Sequence, residues 1–134
     1  VTTKLNRTNL IPGRTSLILP TLGRSERDES DGKSRFVTVE NSMGRVHRSR
    51  GRLTPASEEL RSEPDIVASI ARACLEGRSD IDWFSLAQDY NLIREKISEV
   101  FTGFDKYTER SDKGGFDLPN HARHGDFDES FRRK

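Results

Sequence analysis

At 134 residues the chain has the length of one ordinary domain, but 31% apolar against 34% charged residues and a mean hydropathy of −0.80 argue against a large self-sufficient core. A net charge of +1 leaves no global field to draw nucleic acid or membrane. A single cysteine, Cys74, excludes an internal disulfide and a cysteine-held metal cluster within the chain. Residues 1–15 read as the end of a strand and a loop, with a turn signal at Pro12-Gly13. Ser16 to Pro20 is a short apolar run that predicts a buried strand stopped by Pro20. Gly23 to Ser34 is charged without periodicity and reads as an exposed loop.

The stretch from Phe36 to Arg52 is the most distinctive. Phe36, Val37 and Val39 predict a short strand. Glu40-Asn-Ser42 is a polar turn whose side chains can bond their own backbone. Arg45, Arg48, Arg50 and Arg52 follow. Such a hairpin can present guanidinium and amide donors to an anion, or simply be a solvated surface hairpin.

Leu53 to Ala56 is extended, and Ser57 to Arg61 can make one helical turn. Ser62 has the spacing of an N-cap with Asp65 three residues on, and Pro64 is tolerated in a first turn. Ile66, Val67, Ile70, Ala71, Cys74 and Leu75 then form one apolar stripe, with Gly77 as the stop. Cys74 on that stripe reads as a packed small hydrophobe. A second helical region runs from about Asp82 to Phe101, and Asp89 or Asn91 can divide it. Trp83 and Tyr90 read as core anchors. Thr102 to Gly115 is polar and predicts a loop, Phe116 to Asn120 is extended, and Ala122 to Lys134 is a charged tail.

No phosphate-cradling glycine loop, nucleophile elbow or calcium loop is present in the sequence. His47, His121 and His124 are too scattered to predict a metal site. The apolar runs are too short to cross a membrane and no secretory signal is recognisable, so a cytoplasmic protein is the default expectation. The chain opens on Val1 and closes on charged residues, and both ends read as cut, as in a piece of a longer protein.

Four segments in order carry a family resemblance. They are Thr3-Lys-Leu-Asn-Arg7 with Leu17-Ile-Leu-Pro20; Phe36 to His47 continuing through Ser49-Arg-Gly51; Pro55 to Pro64 running into Ile66-Val-Ala68; and Gly115 to Arg123. In this order they resemble the formate-dehydrogenase-like branch of the molybdopterin oxidoreductases. The resemblance implies an α/β fold in a fragment of a larger multi-domain enzyme, with short strands followed by two or three helices and an extended tail. Residues 1–117 would be the C-terminal portion of the molybdopterin-binding domain, and 118–134 a linker toward a dinucleotide-binding domain. It also implies a molybdenum or tungsten ion held by two molybdopterin guanine dinucleotides, a 4Fe-4S cluster in an N-terminal part outside this chain, and a small substrate such as formate. The partners would be the remaining domains of the same enzyme.

The family's catalytic and metal-holding segments have no match here, so no catalytic or metal residue is expected. Cofactor contacts implied by the resemblance fall at Thr2 and Thr3, Arg35, the Asn41 and Arg45 pair of an Asn-x-x-x-Arg pattern, and Glu63. The sequence departs from the wider pattern in the run from Phe36 to Val39, where glycine is usual, and at Thr3, where an acid is usual. Two other readings compete with this one. One is a small nucleic-acid-binding module using Arg45 to Arg52, which the near-neutral charge opposes. The other is a helical partner-binding module using the Trp83–Phe101 face.

Overall fold

The structure is a computed structural model that describes residues 6–9, 11, 13–119 and 125. It is an α/β arrangement of short strands followed by helices. The chain divides into two compact units, Val1–Val37 with Arg50–Ile93, and Thr38–Ser49 with Arg94–Lys134.

In the first unit, β1 (Glu29–Ser30) and β2 (Lys33–Ser34) pair antiparallel with Ser30 opposite Lys33. Asp31 and Gly32 make the two-residue turn, with φ of 49° and 72°. Both central residues of such a turn need positive φ, which Asp tolerates and Gly takes freely. The exposed loop expected from Gly23 to Ser34 therefore contains a hairpin, signalled by its Asp-Gly pair. The strand expected at Ser16 to Pro20 does not form, and Leu17 is 81% exposed. Within that run only Pro20 makes a bridge, and no ladder forms among the described residues. Thr21, which follows, is buried, bridges Arg61 in parallel and donates its hydroxyl to the Arg61 carbonyl at 2.8 Å.

Helix α1 spans Glu63–Leu75. Ser62 caps it, its Oγ accepting from the Asp65 amide at 3.2 Å. Helix α2 (Trp83–Gln88) is capped by Asp82, which accepts from the Ser85 amide at 3.1 Å, and it packs against α1. Asp89 separates α2 from α3 (Tyr90–Val100), as one of the two expected break points. Tyr90 is buried, in keeping with an anchoring role.

The orientation of α1 reverses the expectation. Val67 and Ile70 are 56% and 49% exposed and Cys74 is exposed, whereas Ala68 is buried and Asp65 points into an ion-pair network. With Asp65 turned inward, Val67, Ile70 and Cys74 face outward while Ile66 and Ala71 stay half-buried, so Cys74 is not a core residue.

The second unit holds a three-stranded sheet in the order β3 (Val37–Glu40), β4 (Arg45–Ser49), β5 (Phe116–Asp117), with β3 starting one residue before the unit boundary. β4 and β5 run antiparallel with Val46 opposite Phe116. The loop expected from Thr102 to Gly115 contains α4 (Tyr107–Asp112), a correction. Its six residues carry no apolar period, and its first amide is served from a distance by Ser98 Oγ, 3.3 Å from the Tyr107 N–H. Val46, Tyr107 and Phe116 form the core here, with Ile97, Phe104 and Leu118 against them. The rings of Phe104, Tyr107 and Phe116 meet edge to face at 5.0–5.8 Å between centroids.

Candidate functional site

The first unit is organised around Arg35, which follows β2 and is 8% exposed. Arginine carries five N–H donors in a planar fork. Here each has an acceptor. Nε and Nη2 donate to Asp28 Oδ1 at 2.9 and 2.5 Å, Nη1 donates to Asp65 Oδ1 at 3.0 Å and to the Ala87 carbonyl at 2.6 Å, and Nη2 also reaches Asp65 Oδ2 at 2.8 Å. The guanidinium lies over the Tyr90 ring, 4.8 Å from its centroid. The Tyr90 hydroxyl shares its proton between Asp28 Oδ2 at 2.8 Å and Ser62 Oγ at 2.7 Å, and Ser62 donates to Asp65 Oδ2 at 2.7 Å. One guanidinium thus ties the β1–β2 hairpin region to α1, α2 and α3.

The charges in this knot support one another. Burial opposes ionisation of Asp65, but hydrogen bonds from Arg35 and Ser62 outweigh it and hold the carboxyl below its ordinary range. Burial likewise works against the Arg35 cation, yet its hydrogen bonds to Asp65 and Asp28, and the charge of Asp28, hold its pKa above the usual value. Burial pushes the Tyr90 hydroxyl up, as does the neighbouring Asp28 carboxylate.

Beside the knot, a cleft of about 410 Å³ opens between the hairpin, α1 and α2. Arg35 and Asp65 form part of its wall, and Arg61, Arg72, Ser69 and Gln88 supply polar groups. Arg72 stacks over Phe84 at 5.5 Å from the ring centroid. Glu29 and Asp31 balance those arginines across the same opening.

In the second unit the Asn41–Arg45 turn is fixed by its own side chains. Asn41 Oδ1 accepts from the amides of Met43 at 2.9 Å and Arg45 at 3.1 Å. The Arg45 guanidinium pairs with Asp117 at 3.1 Å and donates to the Gly114 carbonyl at 3.2 Å, with its side chain 43% exposed. Arg48 donates to the Ser111 carbonyl at 3.1 Å and pairs with Asp112. Two of the four arginines of this hairpin are therefore neutralised locally.

The residues named from sequence divide between the units. Thr2 and Thr3 lie outside the described residues. Arg35 and Glu63 belong to the first unit, and Asn41 and Arg45 to the second. Glu63 opens α1 with its side chain exposed. As possible holders of a guanine dinucleotide these residues differ. Arg35 has all five donors committed within the chain, whereas Arg45 and Glu63 are accessible. Sequence reasoning missed Asp28 and the role of Tyr90 as partners of Arg35. Asp28 sits in an aperiodic charged run, and only the register of the Asp31-Gly32 hairpin brings it back across Arg35, whose amide donates to the Asp28 carbonyl at 2.8 Å. Among the described residues no three His, Cys, Asp or Glu side chains are grouped to hold a metal ion. Among them, too, no helix is long and apolar enough to cross a membrane.

Comparison with known proteins finds strong, partial-length relatives. The chain is 45% identical over 124 residues to an uncharacterized oxidoreductase of Mycobacterium tuberculosis, covering 92% of this chain. A Mycobacterium bovis protein of the same description matches equally. Protein YdeP of Escherichia coli is 47% identical over 123 residues, covering 91% of this chain. The chain spans about 16% of the length of these curated relatives. No family model matches, and no solved structure matches.

Proposed function

We propose that this chain is one stretch of a larger oxidoreductase, and within it a wall of the cofactor cleft of a molybdopterin-dependent enzyme of formate-dehydrogenase-like type. The observation that carries the coarser part is the 45% identity across 92% of the chain to proteins named oxidoreductases that are far longer. The finer part rests on the order of the four sequence segments and on the chemistry of the residues that remain accessible.

Arg45 suits a pyrophosphate. Its pair with Asp117 is solvent-exposed, and such pairs are worth about 0–1 kcal/mol, so a charge-assisted bond to phosphate can replace it at little cost. Asn41 holds the turn that aims Arg45, through the two amides it accepts. Glu63, exposed at the start of α1, offers two carboxylate oxygens to paired N–H donors such as those of a guanine ring. Arg35 serves indirectly, by fixing the hairpin to the helix that begins at Glu63. When bound, the metal and its pterins supply the electron chemistry, and the protein supplies binding, orientation and electrostatics. Thr2 and Thr3 complete the proposed contacts, and formate is the proposed substrate class. The iron-sulfur cluster and the metal's protein ligand belong to parts of the enzyme outside this chain.

The test is cofactor retention in the longer polypeptide. Arg45→Ala and Glu63→Gln should each lower the pterin bound per polypeptide after gel filtration, by about tenfold in affinity for a lost charge-assisted contact. Pterin content that equals wild type in both variants would remove these residues from the site.

A further inference from the structure

Helix α1 turns Asp65 and Ala68 inward and leaves part of its apolar stripe outward, while Ile66 and Ala71 are half-buried. Asp65, Ala68 and Arg72 face the cleft beside Arg35. Val67, Ile70 and Cys74, spaced i, i+3, i+7, lie on the opposite side and are exposed, with exposed Ala73 alongside. A soluble helix ordinarily buries such a stripe, and a contiguous exposed one marks an interaction surface. The rotation cannot be relieved within the unit, because turning Val67 and Ile70 inward would pull Asp65 away from Arg35 and leave a partly buried carboxylate without its cation.

We infer that the outward stripe of α1 is an interface that docks against an apolar face from another part of the same longer polypeptide. The relatives indicate the occupant: this stretch is 16% of their length, so most of each protein lies elsewhere in the same chain. Covalent attachment gives such a neighbour a high effective concentration, which a second copy in solution lacks. The inference rests on the chain being one stretch of a longer protein and is independent of the cofactor assigned to it.

Cys74, at the C-terminal end of the stripe, reports on the interface. In the longer polypeptide, alkylation of Cys74 by a maleimide, read by mass spectrometry of its peptide, should be at least about tenfold slower in the native than in the urea-unfolded protein. The protection should be unchanged on dilution. Ile70→Asp should raise the native labelling rate toward the unfolded one while amide exchange around Arg35 stays slow. Labelling of native wild-type Cys74 at the unfolded rate would overturn the inference whether or not the variant folds. Protection that disappears on dilution would also overturn it, assigning the face to a second copy. A preparation that protects Cys74 but contains neither pterin nor metal would sink the proposed cofactor and leave this interface standing.

Discussion

In the first unit the group that joins the most elements is a guanidinium, and in the second it is a set of aromatic rings. Arg35 reaches Asp28, Asp65 and Ala87 and lies over Tyr90. Val46, Tyr107 and Phe116 enclose the second core, with the Arg110 guanidinium 3.8 Å from the Phe116 ring centroid. The difference teaches how little apolar material each unit has to spend. The second turns the rings of Tyr107 and Phe116 inward. The first holds its elements together by directional polar bonds and leaves Val67, Ile70 and Cys74 of α1 outside. A polar knot of this kind fixes geometry sharply but tolerates the loss of any member poorly.

The sharpest way to break that contrast is Arg35→Ala. It strands Asp28 and Asp65, both under one quarter exposed, and should cost about 3–5 kcal/mol, read as a loss of amide protection in 50–93. Arg35→Lys should rescue only part of this, since an ammonium with three donors cannot replace the five hydrogen bonds of the guanidinium. Phe116→Ala is the matching change in the second unit, with an expected cost of about 3 kcal/mol by urea unfolding of the longer protein. Gly115→Ala should cost about 2 kcal/mol by the same measurement, because the residue has φ of +98° and an added Cβ would overlap the Val46 carbonyl.

Acidity and alkalinity test the knot of the first unit. Asp65 has its carboxyl held below the ordinary range, so its contribution is complete above about pH 4 and is lost as pH falls below that. Tyr90 is pushed the other way, so its contribution is complete below about pH 10 and is lost as pH rises beyond it. Amide exchange in the first unit should therefore quicken at both extremes of pH. Tyr90→Phe should remove the alkaline limb. The smallest effect belongs to Arg45→Ala, whose exposed pair with Asp117 should change stability by less than about 1 kcal/mol.

Much of the helical half was legible from sequence. Ser62 and Asp65 announced α1, and Asp89 was one of two expected divisions between α2 and α3. The Phe36 to Ser49 hairpin also matched its pattern of apolar strand, polar turn and arginines. What escaped was set by long-range polar contacts. The stripe from Ile66 to Leu75 looked like a core face because periodicity reports which residues share a side, and Asp65 decided which side turned inward. Helix α4 has no apolar stripe and depends on Ser98 for its first amide. The Asp31-Gly32 turn was present in the sequence as a hairpin signal, but the charged residues around it masked the two-residue strands. Of the site residues, Arg45 and Asn41 kept the turn expected of them, while Arg35 proved to be enclosed by partners that no spacing rule connects.

Metal and pterin analysis of the purified longer polypeptide tests the central claim most directly. The account predicts molybdenum or tungsten together with two guanine-dinucleotide pterins per polypeptide, the stoichiometry that the family resemblance implies. A folded polypeptide with neither metal nor pterin would contradict it.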